Sequence, residues 1–416
     1  MKKVLGINKF TGIDTRSSIG NSDHPLVNQP QAPTIAELHA TFMSDGVPLA
    51  IEAARKAIAE ARIDISQITH IVSTTCTDSA NPGFDHFVAK GLGITHQVEK
   101  ALLHGIGCSG GLATLRTAAN LALGHTFRRK PARILCVALE ISTTLARSEL
   151  DSINELQETR VGACLFSDCA SAVILSNGIG GQVEEPVYQL LGWDHKIIPD
   201  TEGDLGFDVD PAGWKVVLSP RVPGLTAKML APSFSDLLES VPGLPTEYRE
   251  AADFDWAMHP GGATILTGAE RAMGISSEHM RASYDTYINR GNSSSATIFS
   301  VMNRLRSKEM DVLAPDGRVR EYVVGCAFGP GISVETCMLK RNMNRGCSGL
   351  QTPPETDSEA SRSETGDDQG WASDDPKESV PHTPESETHA AQPAMATADR
   401  RNDTFIDEAL ASIDLD

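Results

Sequence analysis

Three residues in this chain combine reactive chemistry with a setting that could use it. Cys108 sits in Gly105-Ile-Gly-Cys108-Ser-Gly-Gly, where a run of glycines opens a helical segment. Helix N-terminal amides favour a thiolate over a thiol, and the glycines leave room for a thioester carbonyl and for backbone donors to a developing oxyanion. His259 ends an apolar strand and is followed by Pro260-Gly261-Gly262. Asn292 lies in Gly291-Asn-Ser-Ser-Ser295, at the mouth of another helical run. Each alone has a bland reading: a structural cysteine in a turn, a satisfied histidine, a helix cap. Together they read as nucleophile, base and amide donor. A thiolate paired with an imidazolium accepts an acyl group from a thioester. The same imidazole, with an amide N–H, can hold the enolate formed when a malonyl thioester loses carbon dioxide.

These residues need strands and helices to converge them. Short Val- and Ile-rich runs at 70–75, 133–140, 170–176, 254–259, 321–327 and 332–339 read as strands, and they alternate with helical segments at 47–62, 112–123 and 296–306. This rhythm predicts a layered α/β protein. It occurs twice, each time with a strand, a Gly-rich turn and a helix. The expected organisation is a nucleophile half, 1–180, a His- and Asn-bearing half, 181–344, and an acidic tail, 345–416. That tail holds 17 acidic against 5 basic residues, so most of the formal charge of -19 is local. Rich in Ser, Thr and Pro, it cannot offset its ordering entropy and is expected to be disordered.

No basic face exists to displace counterions, which excludes nucleic-acid binding. No apolar run reaches the length of a membrane span, so neither stable membrane insertion nor a signal peptide is expected. The expectation is a soluble, cytoplasmic protein. The eight cysteines form no CxxC pair, and no metal site is expected.

Over nearly all of residues 1–340 the sequence resembles the type III polyketide synthases, the chalcone-synthase-like branch of the thiolase superfamily. The resemblance is carried by Gly107-Cys108, His259-Pro-Gly-Gly, Gly291-Asn292-Ser-Ser-Ser and Phe328-Gly329-Pro330-Gly331, in that order. It implies a thiolase-like five-layer αβαβα fold and a homodimer. It also implies iterative condensation of malonyl-CoA onto an acyl-CoA starter, with no cofactor beyond the CoA thioesters. Cys108 would carry the chain, and His259 and Asn292 would stabilise the enolate. Phe166 matches the gatekeeper phenylalanine between tunnel and cavity. Leu145, Phe207, Val216 and Ser294 would line the cavity, with Gly261, Gly262 and the Phe328–Gly331 loop beside it. Val216 replaces a second gatekeeper Phe of plant members and should widen the space. The pattern is similar to fungal members that prime with fatty acyl-CoA and release alkyl pyrones, resorcinols or resorcylic acids. Lys2, Lys3 and Lys9 fall near the family's CoA-phosphate segment.

Family members carry a first strand before the point matching Met1, and without it the first half should show an unpaired sheet edge. That departure opens a second reading, a non-catalytic homologue that binds or modulates a dimer. A third, a ketoacyl-carrier-protein synthase III performing one condensation, shares the three residues. The surroundings of His259 and Asn292 argue against it.

Overall fold

The computed structural model describes residues 1–181, 185–210, 213–241 and 243–345. Apart from Arg345, the expected acidic tail lies outside the described residues. The first sheet contains β1 (His70–Thr74), β2 (Glu99–Leu103), β3 (Arg133–Glu140) and β4 (Cys169–Ser176), in the order β2-β1-β3-β4. The second contains β5 (Tyr188–Ile197), β8 (Asp255–Met258), β9 (Tyr322–Gly329) and β10 (Ser333–Arg341), in the order β5-β10-β9-β8. A separate hairpin joins β6 (Leu205–Asp210) to β7 (Gly213–Leu218).

The helices fill the layers between and outside these sheets. A short N-terminal helix, α1, spans Lys2–Phe10. Outside the first sheet lie α2 (Val47–Ala61) and α3 (Phe84–Gly91); α4 (Gly110–Phe127) is central; α5 (Val222–Ser240) and α6 (Ala263–Met273) cover the second sheet; α7 (Thr297–Leu305) is central again. Strand alternation explains why each sheet is covered on both faces. In β3, Ile134 and Cys136 point into the central core with α4 and α7, while Leu135, Val137 and Leu139 pack on α2 and α3. In β9, Val323 and Ala327 face the same central core, and Val324, Cys326 and Phe328 face the outer one. The result is the five-layer αβαβα arrangement of a thiolase-like fold.

Helix α2 shows how local sequence serves this packing. Val47, Ala50, Ala54 and Ile58 recur at helical spacing and are all buried, and the helix ends where Arg62 turns left-handed (φ 51°). Residues 2–10 form a helix, α1, held by buried Val4. Strands β2 and β4 form the two edges of the first sheet among the described residues.

Candidate active site

Cys108 occupies a single tight turn, Gly107–Ser109, that runs directly into α4. Gly107 has φ +55°, and a Cβ there would lie 2.6 Å from the Pro330 ring. The loop from the second half therefore abuts the Cys108 turn, and Ser109 Oγ lies 3.1 Å from Ser333 Oγ. Behind the turn, a Cβ at Gly111 would meet the Ser295 carbonyl at 2.5 Å. The glycines around Cys108 thus let two halves of the molecule touch backbone to backbone.

Asn292 is locked in place by its backbone. Its N–H donates to the Leu165 carbonyl (3.0 Å), and its carbonyl accepts from Ser167 N–H (2.9 Å), forming a bridge beside Phe166. Its side-chain oxygen accepts from Ser294 N–H (2.8 Å), and its Nδ2 donates to the Gly261 carbonyl (3.2 Å). The side chains of Asn292 and Ser294 neighbour the Cys108 thiol and oppose the rise of its pKa. His259 leaves β8 with its N–H donating to Cys326 (2.8 Å), and its ring borders Gly261. Asn292 Nδ2 thus reaches Gly261, and Gly261 in turn lies against the His259 ring. His259 is 2% exposed, and neither ring nitrogen has a hydrogen-bond partner.

Burial dominates the electrostatics. It pushes the Cys108 thiol up to about 11, against the opposing hydrogen bond from Ser294. It lowers His259 to about 4, so the imidazole is neutral at pH 7. Burial thus opposes the thiolate that the helix terminus is expected to favour. Separately, each group resists charge; a proton passed from thiol to imidazole would create two opposite charges that support each other.

Sequence reasoning missed the group behind this site. Glu140, at the end of β3, is fully buried and collects hydrogen bonds from Cys76 N–H (3.1 Å), Cys76 Sγ (3.3 Å), Thr77 Oγ1 (3.0 Å) and the Ser295 hydroxyl. Burial raises its pKa, and these donors oppose the rise. Cys76 Sγ lies 3.4 Å from Ser294 Oγ, so the network reaches the same serine that contacts Cys108. A carboxylate closing the apolar strand Ile134-Leu-Cys-Val-Ala-Leu139 was the available signal.

A cavity of 490 Å³ is lined by Phe166 together with Leu145, Val216, Glu149 and Arg16 among others. Comparison with known proteins bears on what this arrangement is. Residues 17–179 match the N-terminal domain of chalcone and stilbene synthases, and residues 189–343 match the C-terminal domain. The chain belongs to the chalcone and stilbene synthase family. It is 40% identical over 357 residues to the type III polyketide synthase pspB of Penicillium soppii, covering 82% of this chain and 87% of that one. It is 39% identical to the acylalkylpyrone synthase csyB of Aspergillus oryzae, covering 82% and 86%. Among solved structures, a type III pentaketide synthase from Neurospora crassa is 72% identical with a TM-score of 0.81, covering 82% of this chain and 91% of that one. CsyB complexed with CoA-SH is 38% identical with a TM-score of 0.78, covering 82% and 91%. As a type III polyketide synthase, the protein is an acyltransferase.

Within that family frame, the predicted cavity residues divide. Leu145, Phe166 and Val216 line the cavity. Phe207 stands back from its wall and meets the Phe166 ring edge-on at 6.3 Å. Ser294 belongs to the Cys108 contacts, with a left-handed φ of +47°. Phe328 is packed in the outer core of the second half, while Gly329 and Pro330 press on the nucleophile turn. Gly331 donates its N–H to the Leu205 carbonyl, and Gly262 caps α6. Lys2, Lys3 and Lys9 are exposed on α1. No helix among the described residues is long and apolar enough to cross a membrane.

Proposed function

We propose that the protein loads a fatty acyl group from its CoA thioester onto Cys108 and extends it with malonyl-CoA. Repeated decarboxylative condensation would yield alkyl pyrones, resorcinols or resorcylic acids. The observation that carries this reading is the buried His259 imidazole with both nitrogens unpartnered, bordering Gly261, whose carbonyl accepts from the Asn292 Nδ2 that neighbours Cys108. In loading, the Cys108 proton passes to a neutral His259 nitrogen, the sulfur attacks the thioester, and CoA thiolate leaves, taking that proton. In extension, malonyl-CoA loses carbon dioxide. The resulting enolate oxygen is held by donors from His259 and from Asn292 Nδ2, and its carbon attacks the acyl-Cys108 carbonyl, releasing the Cys108 sulfur. Decarboxylation itself supplies the carbanion, so the step needs no cofactor. The names of the relatives, an acylalkylpyrone synthase and a pentaketide synthase, favour multiple extensions over a single one.

The protein would work as a cytoplasmic homodimer. Phe166 would act as a gate between the Cys108 site and the cavity walled by Leu145 and Val216. Exposed Lys2, Lys3 and Lys9 would meet the CoA phosphates, a role supported by the likeness to CsyB, which was solved with CoA-SH. The deciding experiment is Asn292→Ala, assayed with a long acyl-CoA and labelled malonyl-CoA. Acyl loading on Cys108 should stay within a few-fold of wild type, while product formation falls about 10²–10³-fold, the worth of one oxyanion donor. Equal loss of loading and condensation would overturn the assignment of Asn292.

A further inference from the structure

Away from the Cys108 site, three potential ligands converge at the opposite end of the first sheet. His70 is the first residue of β1, and the parallel ladder sets it beside Glu99, the first residue of β2. His125 reaches the same spot from the last turn of α4. One ligand atom from each residue lies within 4.8 Å of the other two, and the His70 and His125 rings meet at 4.6 Å, nearly perpendicular. His70 is 1% exposed, yet its Nε2 has no hydrogen-bond partner; Glu99 Oε2 is 3.7 Å away.

The surrounding hydrogen bonds determine what those atoms present. Thr69 Oγ1 accepts the Arg133 N–H (2.9 Å) and directs its own hydrogen to the Arg133 carbonyl (3.1 Å). Its remaining lone pair faces His70 Nδ1 at 2.7 Å, so Nδ1 carries the ring proton and Nε2 is a bare lone pair. His125 Nδ1 lies 3.0 Å from the Pro131 carbonyl, which can only accept; the same logic leaves its Nε2 bare. Two imidazole lone pairs and a carboxylate thus face one another with no hydrogen between them.

We propose that His70, Glu99 and His125 bind a divalent transition-metal ion of the zinc type. Two imidazoles and one carboxylate suit zinc or cobalt and do not suit magnesium or calcium, which take oxygen ligands. The Thr69 hydroxyl and the Pro131 carbonyl act on the distal ring nitrogens, as outer partners of metal-bound histidines do. Ligand distances of about 2.0–2.2 Å require the three atoms to draw together, and the side chain of Glu99, 75% exposed, is free to move inward. Water would complete the coordination from the exposed side. The ion would tie the starts of β1 and β2 to the end of α4. Cys108 stands at the other end of that helix, about 25 Å away at 1.5 Å per residue, so the site is structural and takes no part in condensation.

The test uses the full chain, stripped with a chelator and titrated with cobalt(II). One equivalent should bind with the weak visible bands of a nitrogen–oxygen site and no thiolate charge-transfer band. Zinc should displace it, and zinc but not magnesium should raise the Tm. His125→Ala, at a half-buried position, and Glu99→Gln, at an exposed one, should weaken binding by about tenfold or more while polyketide turnover is unchanged. No binding by the wild type, or equal binding by wild type and both variants, overturns the proposal. The metal readout stands apart from turnover, so it is independent of the proposed enzymology.

Discussion

The two halves of the molecule repeat one design and fill it differently. In each, a parallel pair (β1 with β3, β8 with β9) is followed by an antiparallel neighbour, β4 or β10. The residues leaving the parallel strands reach the site as Cys76 in one half and His259 in the other, and the turns before the central helices bring Cys108 and Asn292. The difference lies one step further along the middle strands. Thr74 pairs with Ala138 and Met258 with Cys326, so Glu140 and Phe328 occupy matching positions, each two residues on. The first half places there a carboxyl that organises Cys76, Thr77 and Ser295. The second places an apolar ring, so no carboxylate supports a charge on His259, and burial alone sets its pKa near 4. One template thus yields a hydrogen-bonded acid on one side and a free neutral base on the other.

Removing the base should test that division most severely. His259→Ala is expected to lower product formation by about 10²–10⁴-fold, the usual worth of a positioned acid–base group, with a Tm loss no larger than the cavity left by a buried ring accounts for, because the ring makes no hydrogen bond. A larger Tm loss would show that the histidine is structural. Next in size is the start of the same strand. Asp255 and Arg281 form a buried bidentate pair at 2.8 Å, where β1 has His70 instead. Asp255→Ala leaves a buried guanidinium unpaired and should cost about 3–5 kcal/mol in chemical denaturation.

Glu140 gives a smaller effect with a definite sign. Its folded pKa is raised above the ordinary carboxyl value of 4.5, so the stability it contributes is complete below that pH and is lost as pH rises. Glu140→Gln removes this dependence. The stability difference between variant and wild type should therefore move in the variant's favour from pH 4.5 to pH 7, and movement the other way would mean the carboxyl is stabilised as an anion. The subtlest expectation concerns Ser294, whose hydrogen bond opposes the rise in the Cys108 pKa. Ser294→Gly, which also accommodates the left-handed φ, should slow iodoacetamide labelling of Cys108 at pH 9 by about fivefold, the worth of one ordinary hydrogen bond. Faster labelling would assign the serine a different role.

Much of this layout was legible in the sequence. The run Arg133–Glu140 forms a strand over its full span because every residue is buried, and an unbroken apolar run is what a strand covered on both faces requires. Of β2 only the end at Leu102-Leu103, running into the Gly-rich turn, was legible; its start at Glu99-Lys100 is exposed and polar, with no apolar run to mark it. The β6–β7 hairpin was missed for the same reason, since its residues are only partly covered. Cys108, His259 and Asn292 were legible from their glycine-rich settings. Glu140 was not, since only the fold shows that the end of β3 meets Ser295, 155 residues away along the chain. The meeting of His70 with Glu99 and His125 was hidden likewise, because it depends on strand register and on the length of α4.

The seam at the nucleophile has a bearing on how such a protein can diversify. Where Gly107 meets Pro330 and Gly111 meets the Ser295 carbonyl, not even a methyl group fits without displacing its neighbour. Evolution cannot remodel product size from that side, since any added atom there would prise the nucleophile from its partners. Under the proposed chemistry, changes in product size would fall instead to the cavity lined by Leu145 and Val216, whose side chains take no part in that seam.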